Sequence, residues 1–119
     1  MYVQGFVAAV PEESKDAFRM MSEAWWEIAK DYGAIEHVET WEVDVPDGEV
    51  TDFRRAVQVK NGEKVIFSWV IWPDKATADA SHEKMTADPR FNDMTDPPAF
   101  DGKRMIYGGF EPVVWKGRD

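Results

Sequence analysis

The chain holds 119 residues with 44% hydrophobic and 13% aromatic side chains, enough for one packed domain over residues 1–119 and too rich for disorder. Its 23 acidic against 14 basic residues give a formal charge of −9, which repels a phosphate backbone and excludes a basic nucleic-acid face. Cysteine is absent, which excludes disulfides and thiolate chemistry, and no window holds the roughly 18 apolar residues of a membrane span, so a small cytoplasmic protein is expected.

Residues 2–10 (YVQGFVAAV) read as a strand with no charge on either face, the pattern of a central strand. The longest helical signal runs from Pro11 to Tyr32. Phe18, Met21, Trp25, Ile28 and Tyr32 form one apolar stripe, and Gly33 is placed to end the helix in a left-handed conformation. Trp26 falls off that stripe. Residues 34–44 (AIEHVETWEVD) alternate as a second strand, and their glutamates mark it as an edge. Pro46-Asp47-Gly48 is a turn, and Asn61-Gly62 predicts either a hairpin between residues 56–60 and 64–72 or a break in one long strand.

Pro73-Asp74 opens a helix rich in alanine that Pro89 closes. Residues 91–102, with Pro97-Pro98, read as irregular. Residues 103–115 (KRMIYGGFEPVVW) form the last strand, with a bulge expected at Gly108-Gly109. The order βαββαβ is the split βαβ unit: an α+β fold with a four-stranded antiparallel sheet and two helices on one face. Its other face would expose aromatic side chains, which a second copy of the same sheet would cover.

The segments YVQGFVAAVP, VPDGEVTDFRRAV, FSWVIWPD, ADPRF and FDGKRMIYGGFE, in this order over nearly the whole chain, resemble the YbaA-like family of uncharacterised bacterial proteins. The resemblance implies a ferredoxin-like protomer that dimerises through its sheet face as a dimeric α+β barrel. It implies no particular activity.

The candidate catalytic pair is His37 and Glu39, which share a strand face with Trp41. Imidazole changes charge near neutral pH, and a carboxylate beside it completes an acid/base pair. The competing reading is an ordinary edge strand with solvated polar side chains. Strand phase predicts that Gln4, His37, Glu39, Trp41, Trp69 and Tyr107 face one cavity opposite the helices, with Val3, Gly5, Val7 and Ala9 packed under the helices. Arg104 is a further candidate for binding a carboxylate; the favoured reading is that it ties irregular loops through ion pairs, with Arg54 and Arg55.

Two histidines, His37 and His82, without HxH or HxxxH spacing give no metal motif, and no phosphate loop or Gly-x-Ser-x-Gly elbow occurs, so no cofactor is expected. The function expected is binding of a small, aromatic or enolisable molecule in a cavity of a homodimer. The alternatives are a cofactor-independent oxygenase or isomerase using the same cavity, and a protein-interaction module using the acidic surface. The first 53 residues carry 13 acids against 3 bases, the remainder 10 against 11, which makes that surface one-sided.

Overall fold

The computed structural model describes residues 1–92 and 99–117, and the Pro97-Pro98 stretch expected to be irregular lies outside them. Four strands, β1 (Tyr2–Pro11), β2 (Glu36–Trp41), β3 (Glu63–Trp72) and β4 (Ile106–Phe110), form an antiparallel sheet in the order β2-β3-β1-β4. The main helices are α1 (Lys15–Ala29), between β1 and β2, and α3 (Lys75–Ala87), between β3 and β4. Two single-turn helices, α2 (Phe53–Ala56) and α4 (Pro89–Asn92), are set in the connections. This is the ferredoxin-like α+β arrangement, with β1 central and β2 at an edge as the charge pattern implies.

Local chemistry accounts for the boundaries. Pro11 ends β1 instead of opening the helix, and one 3₁₀ turn (Glu12–Ser14) separates it from α1. The predicted stripe of α1 turns inward, with Phe18 and Ile28 buried and Trp25 and Tyr32 packed beside them. Gly33 adopts φ 109°, the left-handed end that lets the chain reverse towards β2. Asp74 caps α3 by accepting a hydrogen bond from the Thr77 amide at 2.7 Å.

Three expectations fail. Residues 56–60 form no strand: α2 and an irregular turn occupy this stretch, and β3 pairs with β1 and β2 instead. The last strand is short, because a 3₁₀ turn (Gly102–Arg104) precedes it and residues 111–117 carry no regular structure. No bulge interrupts it, since Gly108 pairs with Gly5 and Gly109 with Gln4 in unbroken register.

The largest correction concerns the sheet faces. Tyr2, Phe6, Val70 and Trp72 pack with Ile28 and Ala29 of α1 and Ala78 and Met85 of α3. Further along, Ala8, Val10 and Ile66 meet Phe18. The large side chains therefore face the helices. The small set Val3, Gly5, Val7 and Ala9 faces the other way.

The reason is that small residues here make room for neighbouring rings, not for helices. A Cβ on Gly5 or Gly108 would stand 3.5 Å from the ring of Phe110, which lies over the two paired glycines. At one end of this open face Ala9 and Val65 are covered by Val57, which follows α2. Phe67, Ile106 and Phe110 stay exposed on the remainder, at 46%, 46% and 61%.

Candidate functional site

His37 and Glu39 lie on β2 with their side chains towards the helices. Register fixes this: His37 pairs with Val70, Glu39 with Ser68 and Trp41 with Ile66, all residues of the helix-covered face. The His37 imidazole Nε2 stands 2.7 Å from Glu39 Oε2. The His37 side chain is only 7% exposed, whereas Glu39 keeps 26%. Trp25 of α1 meets the imidazole edge-on, ring centroids 4.9 Å apart, and Trp26 lies at 6.4 Å. Two tryptophans and a carboxylate therefore hold one imidazole in a single orientation.

Because β2 is an edge strand, no described strand beyond it closes the gap under α1. The result is a cleft of about 730 Å³ between α1 and β2, with His37, Glu39, Trp26 and Trp41 in its lining. This volume suits a small organic molecule. The face of Trp41 is not bare: the Lys15 ammonium sits 5.2 Å from its ring centroid. Arg19, on the next turn of α1, is held by Glu23 at 2.9 Å.

The expectation that six residues share one cavity opposite the helices is overturned. His37, Glu39, Trp41, Gln4 and Tyr107 share the helix side, while Trp69, paired with Val38 and Gly5, lies on the open face with Phe67. There its indole N–H donates to Glu36 Oε2 at 3.0 Å. Sharing a face does not bring the rest together. Gln4 accepts a hydrogen bond from the Trp72 indole at 2.8 Å inside the core. Tyr107 stacks on Phe6 on the opposite edge strand and is 73% exposed. From the set, the cleft gathers His37, Glu39 and Trp41.

Arg104 is also elsewhere. Its guanidinium holds Glu63 at 2.7 and 2.8 Å and Asp101 at 3.2 Å, fastening the approach to β4 onto the start of β3. That hydrogen bonding holds the Glu63 carboxyl at about 2, against an ordinary 4.5. Arg54 bonds Glu42 and Arg55 bonds Asp52, so these cations tie down the loop as the ion-pair reading expects. His82 lies exposed on α3. Among the described residues no three His, Asp or Glu side chains stand together as a metal site would require, and no helix is long and apolar enough to cross a membrane.

Trp26, off the buried stripe of α1, is absent from the predicted site residues, and it lines the cleft. An aromatic off the buried stripe of an amphipathic helix needs another surface, and here that surface is the cleft. The charged α1 residues that line it carried no such signal, since a solvated helix face looks the same.

Residues 1–102 match the family described as "Protein of unknown function (DUF1428)". The chain is 50% identical over 113 residues to the uncharacterised protein YbaA of Escherichia coli K12, covering 95% of this chain and 97% of that one. Among solved structures it is similar to a dimeric ferredoxin-like protein from an uncultured marine organism, with TM-score 0.63 and 12% identity over 99% of this chain and 100% of the other. It is also similar to SnoaB, a cofactor-independent oxygenase from Streptomyces nogalater, with TM-score 0.51 and 16% identity over 96% and 95% of the two chains. At such identities these two likenesses show the fold alone.

Proposed function

The chain belongs to the DUF1428 family of proteins of unknown function, and from its geometry we propose that it binds a small molecule in the cleft between α1 and β2. The observation that carries this reading is the nearly buried His37 imidazole, whose 2.7 Å hydrogen bond to the partly exposed Glu39 lies at the lining of an open cleft walled by tryptophan. A surface ion pair made only for stability has no need of an adjoining aromatic-walled hollow. The binding place moves from between two sheets to between helix and sheet, because register puts the polar pair there.

The open sheet face has a different part in the proposal: it is where a second copy packs. Phe67, Ile106 and Phe110 leave an apolar surface there, and the similar marine protein is described as dimeric.

A catalytic reading of the same cleft is favoured by one feature. An imidazole held by a carboxylate and turned towards a partly closed, aromatic-walled space can take a proton from a bound molecule and return it elsewhere, with Glu39 balancing the charge. The reaction class is proton transfer on an enolisable or aromatic substrate.

Thermal-shift screening of a small-molecule library against the wild type and His37→Ala tests the binding reading. The expected result is a set of compounds that raise the midpoint of the wild type and lose that effect in His37→Ala, while both sediment alike. Stabilising compounds that act equally on both proteins would overturn it.

A further inference from the structure

We propose that the ligand of this cleft is an organic cation, an ammonium or amidinium group on a flat apolar body, and that its charged head takes the place of Lys15 on the face of Trp41. The inference rests on the cleft being a binding site and adds the chemical class of what enters it.

The first observation is internal to the protein. Lys15 opens α1, and its ammonium leans over the Trp41 ring at 5.2 Å. The negative face of an indole attracts a cation at this range. Lys15 is an exposed residue on a flexible four-carbon stem, so it can swing into solvent at little cost. The seat thus exists, suits positive charge, and is held by a group that can leave.

The second is the balance of charge around it. Five carboxylates, Asp16, Glu23, Glu27, Glu36 and Glu39, line the cleft with Lys15, Arg19 and His37; Glu27 pairs with Lys30, Glu36 accepts from the Trp69 indole and Glu39 meets His37. Arg19 is already engaged by Glu23 at 2.9 Å. An entering carboxylate or enolate would have the Lys15 ammonium on Trp41 as its cation, with Arg19 engaged by Glu23 and with Glu39 beside His37 opposing it. An entering ammonium would meet the indole face in a lining with more acidic than basic side chains, within a chain of net charge −9 that attracts cations from a distance.

The third is shape. The tryptophans Trp26 and Trp41 line the same cleft, and His37 lies in it with one edge already packed by Trp25. Aromatic walls of this kind receive a flat apolar body, leaving polar contacts to the head group.

The test uses three probes with one phenyl body: 2-phenylethylamine, 3-phenylpropionate and 3-phenylpropanol. Each is titrated into the full chain while the indole N–H resonances of Trp26 and Trp41 are followed by NMR. The amine should shift those resonances and bind about tenfold more tightly than the carboxylate, the alcohol falling between. Lys15→Met, a change at an exposed helix position, should tighten the amine severalfold by vacating the seat. Trp41→Leu should erase the preference among the probes.

Equal or tighter binding of the carboxylate or the alcohol at the same resonances would overturn the cation assignment and leave the cleft standing as a site. Weakened amine binding in Lys15→Met would also overturn it. No shift from any probe at millimolar concentration would remove both the assignment and the site.

Discussion

Trp72 is 1% exposed, and its indole N–H donates to the half-buried Gln4 Oε1 at 2.8 Å beside apolar core side chains. Trp72→Phe keeps a ring but strands the Gln4 carbonyl and should cost about 1–3 kcal/mol, measured by urea unfolding. A loss near zero would contradict the pairing. Ion pairs make a second residue-level prediction. Glu63 and Asp52 are both held at about 2, from ordinary values of 4.5 and 3.8, Glu63 chiefly by the Arg104 guanidinium and Asp52 chiefly by the Arg55 amide. A depressed carboxylate stabilises the fold above its unfolded value and loses that contribution as pH falls towards the folded value. Stability should therefore drop between about pH 4.5 and 2, and Arg104→Met should flatten that slope in unfolding curves recorded across the range. An unchanged slope in the variant would contradict the assignment of Glu63 to Arg104.

At the scale of elements, Gly33 decides how α1 hands over to β2. Its φ of 109° is hostile to a side chain, and an added Cβ would come within 2.6 Å of the Thr77 methyl on α3. Gly33→Ala should cost at least about 1–2 kcal/mol in thermal unfolding, and a neutral result would place the chain reversal elsewhere. The glycine, the α1 stripe and the identity of all four strands were legible in the sequence, because 3.6-residue periodicity and turn chemistry are local signals. Strand phase was not. Nothing in Val3, Gly5, Val7 and Ala9 says whether small residues receive a helix or a neighbouring Phe110 ring, and one wrong choice for β1 turned the whole expected cavity to the wrong face. The grouping of His37, Glu39 and Trp41 survived, since it depends only on alternation within one strand. Adding Trp69 failed, since it depends on the register between β2 and β3.

For the whole molecule, the two sheet faces divide the work. One carries the helices and, at the β2 edge, the cleft; the other presents Phe67, Ile106 and Phe110. Burying that second face against another copy should remove at least about 800 Å² per protomer from water. Phe67→Glu should then convert a dimer to a 13.7 kDa species in sedimentation equilibrium, while His37→Ala stays dimeric; a wild type that is monomeric at micromolar concentration would refute the assembly. The proposed function rests on this division of faces. Crystals of the protein soaked with a stabilising compound test it most directly. Density for the compound is expected against His37, Glu39 and Trp41 between α1 and β2, with Phe67 and Phe110 buried by a second copy. Density lodged at Trp69 between two sheet faces, with the α1–β2 cleft empty, would contradict it.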